Sequence, residues 1–249
     1  MNYVEYGNKN NETLIFLHGG GLSWWNYEEV AKLLHGDYHV IIPILDGHSG
    51  CDKPFTSIES NAYEIISFID QNLGGHVPLI GGLSLGGQIL LEILSQRKDI
   101  CKFAVIESAL VIPSRLTYSM IKPAFGSCYG LIKREWFSRL QFKSLRIKPD
   151  LFDSYYRDTR AISKKDMIAF LEANSTYAIK DSLKESTAEA YVIVGEKESR
   201  AMQRSADLIH RNLNGSALQI LTGLHHGEFS INQPKQYADK IRETVSDYS

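Results

Sequence analysis

Short, bare apolar runs alternate along this chain with longer stretches in which apolar residues recur at helical spacing. The runs Thr13–Leu17, Tyr38–Pro43, Val77–Gly81, Phe103–Ile106, Ala190–Val194 and Leu218–Leu221 read as strands. They are continuous rather than alternating, the pattern of strands covered on both faces. Between them, Tyr27–Leu34, Ser60–Asn72, Gly86–Gln96, Ala201–Asn212 and Gln236–Val245 read as helices. The alternation predicts an α/β fold, a mostly parallel central sheet with helices on both faces. From Pro113 to Ser186 no buried strand is legible, and aromatic residues such as Tyr118, Phe125, Tyr129, Trp136, Phe137, Tyr155 and Tyr156 are scattered through it. So long a connection is not expected to be bare loop. The expectation is a small helical lid at 113–186 inserted between two strands of a core made of 1–112 and 187–249.

Composition narrows the function. The 249 residues are 43% hydrophobic, and 27 basic against 29 acidic side chains leave a net charge of -2. That balance supplies no basic field to draw in a phosphate backbone, so nucleic acid is not an expected partner. Cys51, Cys101 and Cys128 are too far apart for a metal knuckle and odd in number, so they read as buried small hydrophobes in a reducing compartment. The first residues lack a basic and apolar leader, and no apolar run reaches the ~18 residues of a membrane span. A cytoplasmic protein without a membrane span is expected. Oligomeric state has no signature in the sequence.

The sharpest chemical signal is Gly82-Leu83-Ser84-Leu85-Gly86, preceded by a strand-like run and followed by a helix-like one. Strand, G-x-S-x-G, helix is the context of a nucleophile elbow. The turn is so tight that side chains two residues either side of the serine would collide. It also sets Ser84 at a helix N-terminus, where free N–H groups stabilise negative charge. A glycine-rich turn whose serine merely caps the helix is the rival reading. Dinucleotide and P-loop patterns fail, because no glycine triplet has the required spacing and no Lys follows. His18-Gly19-Gly20-Gly21 comes directly after the strand at Leu14–Leu17. Bare glycines there let backbone N–H groups approach an oxyanion.

With these two motifs the whole chain resembles the α/β-hydrolase family, the compact lid-bearing kind. Asp46-Gly47-His48-Ser49-Gly50-Cys51-Asp52-Lys53-Pro54 is similar to that family's G-H-G-x-S-D-x-P loop, with Ser49 in place of a glycine, Cys51 in place of a serine, and Ile44 where an aspartate is common. The resemblance implies a catalytic acid after the strand at Tyr191–Val194, where Gly195-Glu196-Lys197-Glu198 puts Glu198 in the acid position. It also implies a histidine in the loop Gly223-Leu224-His225-His226-Gly227-Glu228, with His226 in the catalytic place. The chain order is then Ser84, Glu198, His226, the order this fold uses. The acid follows the serine by 114 residues (198 − 84), room enough for the lid. His225 is the rival base; Glu196 and, at an earlier strand end, Glu107 are the rival acids. His18 and His48 are expected to brace loop backbone rather than take part in chemistry, and Glu228 to be an exposed charge at a helix start.

The resulting expectation is a serine hydrolase cleaving a small ester through an acyl-enzyme, with the N–H groups of Gly20 and Leu85 as oxyanion hole and no metal or organic cofactor. The lid aromatics point to an apolar substrate. Alternatives that remain are another reaction on the same triad (C–C bond hydrolase, thioesterase, peptidase or lyase) and a non-catalytic small-molecule receptor.

Overall fold

A computed structural model describes residues 1–246. Its sheet has seven strands: β1 (Tyr3–Tyr6), β2 (Thr13–Leu17), β3 (His39–Pro43), β4 (Val77–Leu83), β5 (Cys101–Glu107), β6 (Glu189–Gly195) and β7 (Ser216–Leu221). Their spatial order is β1-β3-β2-β4-β5-β6-β7. All neighbours pair parallel except β1, which runs antiparallel along β3. Each parallel pair needs a crossover, and helices supply it: α1 (Glu28–Leu34), α2 (Ile58–Asn72) and α3 (Leu85–Gln96) in the first half.

Between β5 and β6 the chain forms α4 (Arg115–Ile132), α5 (Glu135–Leu145), α6 (Phe152–Thr159) and α7 (Lys164–Thr176), with no strand among them. Beyond β6 come α8 (Arg200–Asn212), α9 (Glu228–Asn232) and α10 (Pro234–Ser246). The strand side chains divide by parity into two cores, as the pleat requires. Ile15 and Leu17 meet Ile65 of α2 and Ile89 of α3 on one face. Leu14 and Phe16 meet Val30 of α1 and Tyr237 of α10 on the other.

Three expectations change. β1 was not legible, because its four residues alternate between exposed and half-buried at the sheet edge and carry no apolar run. β7 is not covered on both faces: it is the opposite edge, and Ile220 faces solvent. Of the cysteines only Cys101 is buried; Cys51 is half-buried, Cys128 is exposed, and all three are free thiols. No described helix is long and apolar enough to cross a membrane.

Candidate active site

β4 ends at Leu83 and α3 begins at Leu85, so Ser84 alone makes the turn. Its φ of 55° and ψ of -111° lie where a residue with a side chain is strained by about 1–3 kcal/mol. Neighbours hold it there: its N–H donates to the Glu107 carbonyl at 2.9 Å, and its carbonyl accepts from Gln88 N–H at 3.0 Å. A Cβ on Gly82 would overlap the Gly86 carbonyl, and one on Gly86 the Leu17 carbonyl. The two flanking glycines are therefore a condition of the turn. Ser84 opens on a cavity of about 260 Å³, whose wall it shares with His226 and the glycines 19–21.

The histidine and the carboxylate beside it come from the ends of the last two strands. β6 runs into the loop carrying Glu198, and β7 into the loop carrying His226. The loops are stitched together by Glu196 N–H to the Leu221 carbonyl and Lys197 N–H to the Leu224 carbonyl, both at 2.9 Å. Glu196 itself accepts from Gly223 N–H at 2.8 Å. Glu198 Oε2 lies 2.8 Å from His226 Nδ1. Its Oε1 accepts from Ser108 Oγ at 2.7 Å and Gly195 N–H at 2.8 Å. Burial would raise this carboxyl, but His226, Ser108 and the Gly195 N–H together bring it below its ordinary value. An ionised acid fixes the proton on Nδ1 and leaves Nε2 with a lone pair. No hydrogen bond joins Ser84 to His226 among the described residues; such contacts tighten when substrate is bound.

Ser108 belongs to no motif, and sequence reasoning passed over it. It follows β5 directly with φ 54°, is buried, and is anchored by its N–H to the Ile193 carbonyl at 2.9 Å. Glu107, the rival acid, points elsewhere. Its Oε1 accepts from Ser230 N–H at 3.3 Å, while Oε2 is buried with no partner among the described residues. Burial pushes its carboxyl up to about 7. Glu228 is not a free surface charge: it accepts from His225 N–H at 2.7 Å and closes the first turn of α9.

The glycine loop is oriented from beneath. Gly19 N–H donates to Asn26 Oδ1 at 3.1 Å and Gly21 N–H to His48 Nε2 at 3.0 Å. His18 Nε2 accepts from Leu45 N–H at 3.2 Å. Both imidazoles accept a backbone N–H on one nitrogen and face a carbonyl with the other. Burial lowers His18 to about 3 and His48 to about 4, so both are neutral struts. Gly20 N–H, between the two occupied ones, has no acceptor among the described residues, and neither has Leu85 N–H at the start of α3. No group of three or more metal-ligating side chains occurs among the described residues.

A serine in a strained turn at the C-terminal end of a parallel sheet, with a carboxylate–histidine pair on the loops after β6 and β7, defines the class: a hydrolase of the α/β type. The sequence comparison agrees, since residues 14–240 match the alpha/beta hydrolase family model, and the chain belongs to that family. It is 23% identical over 99% of its length, and 93% of the relative's, to an uncharacterised hydrolase of Bacillus subtilis (strain 168). It is 24% identical to the pimeloyl-[acyl-carrier protein] methyl ester esterase of Neisseria meningitidis, covering 92% of this chain and 91% of that one. A thermophilic esterase from Thermogutta terrifontis superposes with a TM-score of 0.81 at 16% identity, over 99% of this chain and 93% of the other.

Proposed function

We propose that this hydrolase is a serine esterase acting on a small, largely apolar ester. The observation that carries the reading is the 2.8 Å contact between His226 Nδ1 and Glu198, set beside the elbow serine on one cavity wall. His226 Nε2 takes the Ser84 proton as Oγ attacks the ester carbonyl. Negative charge on the carbonyl oxygen is met by Gly20 and Leu85 N–H. The imidazolium then protonates the departing alkoxide, leaving an acyl-enzyme. A water deprotonated by the same nitrogen hydrolyses it, and Ser84 regains its proton. These steps use only the side chains named and water.

The walls set the substrate class. Leu22, Phe125, Ile132, Met167, Phe170 and Ile231 line the cavity, so an apolar acyl or alkyl group is stabilised there and a charged one is not. Several of these residues come from the helices at 113–186, which act as the lid and specificity element.

A fluorophosphonate probe and a panel of p-nitrophenyl esters test the proposal. The expected result is an adduct on Ser84, lost in His226→Ala, with turnover of short and medium acyl chains. A folded protein that neither labels nor turns over any ester, thioester or amide would overturn it and favour a receptor.

A further inference from the structure

The outer surface of α4 and α5 differs from the rest of the molecule in two independent ways. Of twelve large apolar side chains exposed among the described residues, seven lie between 116 and 145. Leu116 is 76% exposed, Met120 56%, Trp136 63% and Leu140 62%. The same segment is the basic part of an otherwise acidic chain. Residues 113–149 hold eight Lys or Arg (115, 122, 133, 134, 139, 143, 146 and 148) against one carboxylate, Glu135. Arg115, Arg134, Lys143 and Arg146 are exposed and make no ion pair among the described residues.

The spacing puts the two properties side by side. At 3.6 residues per turn, Trp136, Arg139, Leu140 and Lys143 fall within about 100° of arc on α5. Leu116 and Met120 are one turn apart on α4. The opposite side of α5 carries buried Ser138 and Phe142, so the apolar arc is not the packing face. Leu145, the last residue of α5, lies on the other side from that arc, 41% exposed and also a wall of the Ser84 cavity.

We propose that the outer face of α4 and α5 is a docking surface for an anionic lipid bilayer. Apolar side chains with tryptophan, flanked by unpaired cations, match an interfacial helix lying in the headgroup layer. Charge argues against a second copy of the chain, because a two-fold contact would set this basic face against itself. Docking there holds the helices that wall the cavity, through Phe125, Ile132, Gln141 and Leu145, at the phase in which apolar esters concentrate.

The test is co-sedimentation of the full chain with phosphatidylcholine vesicles and with mixed phosphatidylcholine–phosphatidylglycerol vesicles, at low and high salt. Tryptophan emission is read in parallel, the share of Trp136 beside Trp24 and Trp25 taken from the difference between the parent and the Trp136→Ser variant. The expected result is binding to the mixed vesicles only, weakened by salt, with a blue shift. Trp136→Ser with Leu140→Ser, and separately Arg134→Gln with Lys143→Gln, should each weaken binding by about tenfold or more. All four positions are exposed, and circular dichroism checks that the fold persists. Three results would overturn the proposal: no binding to either vesicle, equal binding to both, or unchanged binding by the variants. A concentration-dependent dimer abolished by the Trp136/Leu140 pair would replace it with self-association.

Discussion

Replacing Glu198 by Gln separates what its carboxylate does for His226 from what it does for the fold. One oxygen, Oε1, already has two donors on it, Ser108 Oγ and Gly195 N–H. The amide of a glutamine keeps that oxygen, so both donors stay satisfied and the backbone of the loop is undisturbed. Its NH2 then takes the place of Oε2, 2.8 Å from His226 Nδ1. Two donors facing each other are repulsive, and the imidazole relieves this by moving its proton to Nε2. That nitrogen can no longer accept the Ser84 proton. The expected loss in kcat is about 10⁴-fold, the size seen for a triad acid turned to its amide, or roughly 5 kcal/mol of barrier. Stability should change little, since no buried donor is orphaned. Glu198→Ala orphans both donors and should also lose about 2–6 kcal/mol of stability, at 1–3 kcal/mol for each. Steady-state kinetics on a p-nitrophenyl ester with urea melts reads both quantities. Glu107→Gln is the control and should leave kcat within about threefold, since Glu107 holds Ser230 rather than His226. Full activity in Glu198→Gln, or a collapse in Glu107→Gln with Glu198→Gln intact, would refute the assignment.

Further expectations follow from neighbouring atoms. Ser108→Gly removes the hydroxyl on Glu198 but suits the φ of 54° at that position. It should lower kcat/KM about tenfold, one charge-assisted hydrogen bond, without lowering Tm; unchanged kinetics would show that Glu198 needs no support from β5. Glu107 has its carboxyl raised from 4.5 to about 7 by burial, so between those pH values the native state holds a proton that the unfolded state has released. Stability therefore falls as pH rises through that window, by about 3 kcal/mol in all. Urea midpoints across pH 4–8 should show Glu107→Gln gaining on the parent as pH rises, and parallel curves would contradict it. Gly86→Ala drives a methyl group into the Leu17 carbonyl and should cost about 3 kcal/mol or more, or prevent folding; a midpoint within error of the parent would mean the turn is looser than its geometry.

Legibility in the sequence tracked burial. β2 to β6 were readable because sandwiching between helix layers leaves each an unbroken apolar run. At the two edges this signal weakens: β1 alternates half-buried with exposed residues and carries no apolar run, and β7, readable as a strand from Leu218 to Leu221, exposes Ala217, Gln219 and Ile220 instead of being covered on both faces. In the inserted segment, α4 to α7 pack mainly on one another and on the cavity, so their apolar faces are short and divided. Length and the lack of a buried strand gave away the segment's helical character but not where α5 ends or which face looks outward.

The elbow is local in sequence, and sequence recovers local objects: Gly82, Ser84 and Gly86 fall within five residues, although Glu107 and Leu17 also close on the turn. The proposed acid is not local. β5 and β6 lie side by side with Glu107 in register with Ile193, and each strand end presents a carboxylate close to the histidine loop. Which one meets His226 depends on two things that no short window contains. Ser230 N–H, a turn beyond the histidine, captures Glu107. Ser108, in a left-handed conformation after β5, reaches across to Glu198. The site is completed by residues that a motif search would discard, and their mutation should be felt at His226 rather than at Ser84.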